Sequence, residues 1–354
     1  MIKPRDNKLN IVEEIQTDSV NKRLIVISKN ELLHYFYLEN GRIHSFYVEN
    51  GDSPLSGSIY IGRVGSVNKG INGYFVYISD KKQVFLPGTA LSENTILVNR
   101  SFDGKLHESD EVVIQIKKEE YKQKRATATT KLRLGKDLSY EDIVKMSRTM
   151  PKYSMLKNGL NYFDNLAKSN IDLSDCQIIC ADEYSYRLCC SRSTIYKLNN
   201  IRLYDDETIT LQALYGLKSK FDEITNEKVW LKCGGYLYIN PTEAMVVIDI
   251  NTGKTSGNSR EKTILNTNIE AIEEISYQIK ARNLSGIIIV DLINSKSPDF
   301  NTVLTKHMED CFGNIKPTPK LEDITKLGLA EITRQKILPD IYEQMNKMDK
   351  TILM

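Results

Sequence analysis

The sequence predicts a multidomain α/β protein that contains a small β-barrel, and three observations carry this prediction. The chain has 354 residues, more than the roughly 250–300 residues that a single hydrophobic core usually supports. Short β-type segments separated by turn residues fill the first third of the chain. A strand, a long helix and a second strand follow one another towards the carboxyl-terminal end.

The composition is that of a folded protein, with 41% hydrophobic and 27% charged residues. No apolar run approaches the ~18 residues of a membrane-spanning helix. The opening residues, MIKPRDNKLN, lack the apolar segment of a secretory signal. The six cysteines are too few for a disulfide scaffold and form no CxxC pair. We therefore expect a cytoplasmic protein with reduced cysteines and no membrane partner.

The first third of the chain reads as β structure. Residues 24–48 alternate β-branched and aromatic residues around the turn Asn40-Gly41, which predicts a hairpin. The strands SIYIGRV, GYFVYI and QVFLP between Gly57 and Leu91 have the spacing of a small meander barrel, for which an OB-fold is the natural candidate. The segment Glu111–Glu120 adds a further strand.

Two features of the barrel region are typical of nucleic-acid binding. Phe75 and Phe85 could stack unpaired bases on an OB surface, although strand aromatics more often fill cores. From Lys117 to Lys136, eight basic residues face two glutamates, whereas the net charge of the whole chain is only +2. Such a basic stripe is the footprint of a polyanion-binding face, and a solvated surface segment is the alternative.

The clearest stretch is a predicted βαβ unit. Glu243–Ile250 and Gly286–Ile293 read as buried strands, and Arg260–Arg282 between them reads as an amphipathic helix. Crossovers of this kind set the two strands parallel and bring their carboxyl ends to the same edge of one sheet.

Two aspartates stand near those strand ends. Asp249 and Asp291 each follow an apolar run and should therefore lie close together. Paired carboxylates repel, and a hard divalent cation such as Mg²⁺ is the simplest compensating partner. Asn251 projects to the same side as Asp249. The pattern indicates metal-assisted phosphodiester hydrolysis; the alternative is that both aspartates bind backbone amides.

Several stretches resemble the catalytic half of the bacterial ribonuclease E/G family. Trp230–Lys254, Thr263–Ile293 and Leu327–Pro339 resemble its catalytic signatures. GSIYIGRV and GYFVYISDKKQVFLP resemble its S1-type OB domain, and Ile201–Gly216 resembles its RNase H-like segment. The resemblance implies an α/β multidomain fold: an RNase H-like and DNase-like α+β catalytic core with an inserted S1-type OB-fold.

The resemblance also implies a division of the chain. The expected parts are an amino-terminal β part of the RNase H-like subdomain (1–53), an S1-type OB-fold RNA-binding domain (54–130), a shortened linker replacing the family's 5′-sensor (131–175), the rest of the RNase H-like subdomain (176–232), a catalytic metal-binding subdomain (233–345) and a tail (346–354).

The implied function is that of a Mg²⁺-dependent endoribonuclease specific for single-stranded RNA, acting in RNA processing or turnover, with Mn²⁺ as an alternative metal. The other reading is a non-catalytic RNA-binding relative. The candidate residues are Asp249, Asn251 and Asp291 for catalysis, the first and last of these as metal ligands, and Phe75, Phe85, Lys118, Lys124 and Arg125 for RNA binding.

Two departures from the family are visible. The family's zinc-binding cysteine pair should follow Pro339, but no cysteine occurs after that residue here. We therefore expect neither zinc nor the family's zinc-linked dimerisation module. An oligomer that forms in another way stays open. Asn294 stands where the family usually has another acidic residue.

The 5′ end of the RNA should matter little to this protein. Members of the family bind a 5′-monophosphate with an Arg-Thr pair that follows an apolar strand. The pair Arg148-Thr149 of this chain follows Lys145-Met146-Ser147 instead, so we do not expect it to bind the phosphate. Cleavage rates of otherwise identical 5′-monophosphate and 5′-hydroxyl RNAs should therefore be similar. A large preference for the monophosphate would contradict this prediction.

Overall fold

The computed structural model describes residues 21–30, 32–50, 56–68, 70, 72–120, 125–134, 138–159, 161–168, 171–253, 260–295, 297, 299–336 and 338–353. They fall into two compact units. We call the unit within Asn50–Asn165 the barrel unit, and the unit formed by Met1–Glu49 and Leu166–Met354 the sheet unit.

The strands are, in chain order, β1 (Lys22–Lys29), β2 (Leu32–Glu39), β3 (Arg42–Asn50), β4 (Ile59–Asn68), β5 (Gly73–Tyr77), β6 (Gln83–Pro87), β7 (Glu111–Lys118), β8 (Thr127–Thr129), β9 (Met155–Lys157), β10 (Gln177–Cys180), β11 (Asn200–Leu203), β12 (Lys228–Trp230), β13 (Tyr236–Pro241), β14 (Met245–Asn251), β15 (Gly286–Asp291), β16 (Lys320–Ile324) and β17 (Leu329–Arg334).

The α-helices are α1 (Tyr140–Thr149), α2 (Tyr162–Lys168), α3 (Glu183–Tyr196), α4 (Leu211–Leu214), α5 (Leu217–Thr225), α6 (Arg260–Ala281), α7 (Phe300–Phe312) and α8 (Ile341–Met345). Among the described residues, no helix combines the length and the apolar character needed to cross a bilayer.

The barrel unit is built on five strands that close on themselves. In the described residues they pair in the order β4-β5-β6-β8-β7 and back to β4, and β6 and β8 run parallel while the other neighbours are antiparallel. This closed barrel is consistent with the predicted OB-fold. Alternate residues of the strands point into the barrel core, and among them the side chains of Val76, Val84 and Leu86 are fully buried.

The segment predicted as a linker contributes to the barrel unit. β9 pairs with β4, and Ile143 of α1 and Leu156 of β9 join a second apolar cluster with Ile59 and Ile61 of β4. The described part of residues 131–175 within this unit is thus packed structure, and the predicted domain division remains a prediction.

The first sheet of the sheet unit has the order β11-β10-β1-β2-β3 among the described residues. β1 is parallel to β10 and antiparallel to β2, and β10 is parallel to β11. The predicted hairpin is confirmed, because Asn40 and Gly41 connect β2 and β3 with φ angles of 50° and 75°. The RNase H-like assignment of this region remains a prediction.

The second sheet has the order β12-β13-β14-β15-β17-β16 among the described residues. The predicted βαβ unit is confirmed: β14 and β15 are parallel, and α6 connects them. The buried side chains of Val246, Ile248 and Ile250 pack in one apolar cluster with Ile272 and Ile275 of α6.

The opposite face of this second sheet is exposed, and we call it the open face. It carries the side chains that alternate with the buried ones, and its exposed large residues are Trp230, Tyr238, Met245, Val247 and Ile287. In the part of the chain that the structure describes, α6 and α7 pack against the buried face of this sheet, and the side chains of the open face are accessible to solvent.

Adjacent residues of β14 should differ sharply in their effect on stability. Ile248→Ala empties a fully buried position and should lower the free energy of unfolding by about 2–5 kcal/mol. Val247→Ala, on the open face, should cost less than about 1 kcal/mol. Urea unfolding followed through Trp230, the single tryptophan, reports this sheet directly. Equal losses would contradict the assignment of faces.

Candidate functional site

The two candidate aspartates are direct neighbours on adjacent strands. Asp249 and Asp291 are Cα partners in the parallel pairing of β14 and β15, and neighbouring strands lie about 4.8 Å apart. Both side chains belong to the open face, where Asp249 is half-buried and Asp291 is exposed. The predicted proximity is confirmed.

Asn251 supports Asp249 directly. Its side-chain Nδ2 donates a hydrogen bond of 2.7 Å to Oδ2 of Asp249. Since the amide is neutral, this contact orients the carboxylate without cancelling its charge. The other carboxylate oxygen of Asp249 and both oxygens of Asp291 receive no side-chain hydrogen bond from the described residues.

A glycine turn fixes the end of β14 behind Asn251. A Cβ atom on Gly253, which has a φ of 63°, would lie 2.2 Å from the carbonyl oxygen of Gly234, and one on Gly235 would lie 2.7 Å from that of Asn251. The carboxylate of Glu270 on α6 holds the preceding turn by accepting hydrogen bonds from the backbone N–H groups of Lys232 and Cys233.

The chain that follows β15 is held by the same helix. The buried side chain of Asn268 accepts a hydrogen bond of 3.1 Å from the N–H of Ile293 and donates one of 2.9 Å to its carbonyl. Asn268 thereby fixes the backbone two residues beyond Asp291. Sequence reasoning missed it, although an asparagine beside the apolar stripe of α6 was a readable signal.

Asn294 lies in the next turn and contacts a different partner. Its Nδ2 donates a hydrogen bond of 2.9 Å to the carbonyl of Leu327, and a Cβ on Gly328 would lie 2.2 Å from its Oδ1. Asn294 therefore ties the loop after β15 to the turn before β17, and as an amide it brings no charge to the site.

The donor set fits a magnesium-type ion. Mg²⁺ is usually held by one or two carboxylates and keeps several water molecules, which leaves room for phosphate oxygens. Asp249 and Asp291 supply two adjacent carboxylates on an exposed sheet face. Within the described residues no group of three or more His, Cys, Asp or Glu side chains is arranged to hold a metal.

An aromatic row beside the aspartates was not found from sequence. Tyr238 of β13 is the Cα partner of Asp249, and Tyr236 is the partner of Asn251. On β12, Lys228 pairs with Tyr238 and Trp230 with Tyr236. The alternation K-V-W and Y-L-Y was the available signal, since it places these four side chains on one face of the sheet.

In the barrel unit, Phe75 and Phe85 face away from the core. They are Cα partners on β5 and β6, their ring centroids are 5.6 Å apart, and both are half-buried. A Cβ on Gly73 would lie 2.5 Å from the ring of Phe85, so glycine is needed to seat that ring. The placement excludes the core alternative, while base stacking remains a prediction.

The basic candidates near these rings have different outcomes. The Arg125 guanidinium carbon lies 5.0 Å from the centroid of the Phe75 ring, and its Nη1 donates a hydrogen bond of 3.1 Å to Oε1 of Gln83. Lys118 is exposed at the end of β7. Lys124 lies outside the described residues.

The Arg148-Thr149 pair lies in the last turn of α1. Both side chains are exposed, and the Thr149 hydroxyl donates a hydrogen bond of 3.0 Å to the carbonyl of Met146. The expected small influence of the RNA 5′ end remains a prediction.

Comparisons with known proteins identify the family of this chain. Residues 107–337 match the model of the ribonuclease E/G family, which is more than half of the chain. The chain belongs to the ribonuclease E/G family.

Three relatives illustrate the match. Over 139 residues the chain is 39% identical to a ribonuclease E of Synechocystis sp., covering 39% of this chain and 20% of that protein. Over 124 residues it is 39% identical to a ribonuclease G of Haemophilus influenzae, covering 35% and 25%. Over 156 residues it is 33% identical to a ribonuclease E/G-like protein of Pyropia yezoensis, covering 44% and 30%. The matched stretch spans less than a third of each relative.

Asn268→Leu should loosen the chain after Asp291. The variant leaves the partly buried N–H and carbonyl groups of Ile293 without their side-chain partner, which should cost about 1–3 kcal/mol of unfolding free energy. Hydrogen exchange of peptides that contain Ile293 should accelerate. Asn266→Leu, at an exposed position of the same helix, is the matched control and should change neither quantity. Unchanged exchange in Asn268→Leu would contradict the positioning role.

Proposed function

We propose that this chain is a Mg²⁺-dependent endoribonuclease that hydrolyses phosphodiester bonds of single-stranded RNA in RNA processing or turnover in the cytoplasm. The observation that carries the proposal is the register-paired Asp249 and Asp291 on the open face, with Asn251 bonded to Asp249, in a member of the ribonuclease E/G family.

The metal would be held by Asp249 and Asp291. A bound Mg²⁺ supplies an activated water at neutral pH and stabilises the charge that develops on the phosphate. Mn²⁺ prefers the same oxygen donors and is the alternative ion. Two carboxylates on adjacent strands repel each other, and a bound cation would relieve this repulsion.

The protein residues of the site have distinct tasks in this proposal. Asn251 keeps the Asp249 carboxylate in one orientation, since its amide is bonded to Oδ2. The exposure of Asp291 leaves its oxygens accessible to an ion from solvent. Glu270 and Asn268 of α6 fix the backbone near both strand ends, so the two carboxylates keep a constant separation.

The barrel unit would bind the RNA chain. Phe75 and Phe85 offer outward-facing rings on which unpaired bases stack, and Arg125, Lys118 and Lys124 would contact phosphates. Because stacking needs bases that are not already paired, the proposal expects a preference for single strands. Because phosphate contacts release counterions, binding should weaken steeply as salt rises.

A second candidate function is RNA binding without cleavage. Asn294 favours it, because a neutral amide bonded to the Leu327 carbonyl stands three residues after Asp291, where the family usually has a carboxylate. In that case the open face would bind RNA and a partner would supply the chemistry.

Cleavage of an AU-rich single-stranded RNA tests the nuclease proposal. Wild-type protein should cut it with Mg²⁺ and not with EDTA. Asp249→Asn should lower the rate on the order of a hundredfold or more, since metal catalysis supplies several kcal/mol of transition-state stabilisation. Asp310→Asn, at an exposed position of α7, is the charge-matched control and should cut normally.

Binding is followed in the same experiment with the Asp249→Asn protein, which keeps the RNA intact. Retained binding with lost cutting places the chemistry at the aspartates. Binding without cutting by wild-type protein under every metal condition would refute the nuclease and favour the RNA-binding alternative.

A further inference from the structure

Two large aromatic side chains of the open face are exposed to solvent. Trp230 is 66% exposed and Tyr238 is 42% exposed, and both lie on the face that also carries Asp249 and Asp291. Exposed aromatic clusters rimmed by polar groups mark binding surfaces. The roles proposed above for the two aspartates and the barrel do not use these rings.

A lysine lies among the rings. Nζ of Lys228 is 4.0 Å from the ring centroid of Trp230, 3.9 Å from that of Tyr236 and 5.8 Å from that of Tyr238. The rings of Trp230 and Tyr236 are 5.4 Å apart and those of Tyr236 and Tyr238 are 5.6 Å apart, both edge to face. The cluster is therefore an ordered aromatic platform with one positive charge.

The platform borders the aspartates through the strand register. Lys228, Tyr238, Asp249 and Asp291 form one cross-strand line, because consecutive members are Cα partners on β12, β13, β14 and β15. With strands about 4.8 Å apart, Tyr238 lies one strand from the carboxylate pair. A polynucleotide whose phosphate reaches the aspartates can therefore place a neighbouring nucleotide over this platform.

We propose that Trp230, Tyr236, Tyr238 and Lys228 form a nucleotide subsite that binds the unpaired base and phosphate next to the bond being cut. Aromatic faces stack with any base, and the Lys228 ammonium complements a phosphate. In this proposal Lys228 and the rings bind the flanking nucleotide, and the carboxylates of Asp249 and Asp291 hold the metal. The rings provide a stacking surface for bases and the cation complements a phosphate, so the cluster favours RNA over a purely apolar partner.

This inference deepens the proposed function and rests on it in one respect, namely that the site takes single-stranded RNA. The binding step itself needs neither cleavage nor the barrel aromatics, so it can be measured when either is removed.

Trp230 provides the probe, because it is the single tryptophan of the chain. The Asp249→Asn protein in Mg²⁺ is titrated with a short U-rich single-stranded RNA, and the emission of Trp230 is recorded. Stacking should quench it in a saturable manner. A duplex of the same sequence should not quench it. A protein that also carries Phe75→Leu and Phe85→Leu should reach the same final quenching, because the platform belongs to the sheet unit and those two rings belong to the barrel unit.

Matched substitutions separate stacking from apolar contact. In the Asp249→Asn protein, Tyr238→Leu should weaken RNA binding about tenfold, whereas Tyr238→Phe should bind as before because the ring is kept. Labelled-RNA anisotropy makes the same comparison between Trp230→Leu and Trp230→Phe. Ile287→Ala, which removes a side chain that is 47% exposed on the same face, should leave the affinity unchanged.

The outcomes distinguish this inference from the nuclease proposal. Cleavage by wild-type protein without quenching would overturn the subsite and leave the nuclease standing. Quenching by single-stranded RNA, together with a wild-type protein that never cleaves, would support the subsite and refute the nuclease proposal. Emission that changes with protein concentration in the absence of RNA would overturn the subsite and assign the platform to a contact between copies of the chain.

Discussion

The parallel register of β14 and β15 is the constraint on which the site depends. It makes Asp249 and Asp291 Cα partners, and it holds because the alternate residues Val246, Ile248 and Ile250 must stay buried. A shift of one residue would turn the apolar set to water and an aspartate into the core. Burial of the apolar face therefore also determines which side chains lie on the open face.

Helix α6 does more than cover that buried face. Its apolar stripe packs beneath the sheet, Glu270 holds the turn behind Asn251, and Asn268 holds the chain after Asp291. The same crossover that forces β14 and β15 to be parallel thus restrains both strand ends.

The barrel strands and the sheet strands follow the same alternation. Val76 and Val84 fill the barrel core, while their neighbours Phe75 and Phe85 face outward. In the same way Ile248 and Asp249 take opposite faces of the sheet.

The open face divides into two regions of different character along one cross-strand line. Lys228 and the aromatic rings lie at the amino-terminal edge strand, and the carboxylates lie on the two central strands. Such a gradient from cation and rings to carboxylates suits a ligand that is itself an alternation of phosphates and bases.

The sequence by itself determined the features that depend on neighbouring residues. It predicted the hairpin at Asn40-Gly41, the barrel strands, the βαβ unit and the pair Asp249 and Asp291, because turn residues, apolar alternation and crossover geometry are local or nearly local rules. Outside the hairpin and the βαβ unit, only the tertiary structure decided which strands are neighbours in a sheet. The platform of Lys228, Trp230 and Tyr238, the clamp by Asn268 and the packing of α1 against the barrel therefore stayed hidden. Period-two alternation reveals a face of a strand, but the neighbour across that strand is set by how the whole core packs.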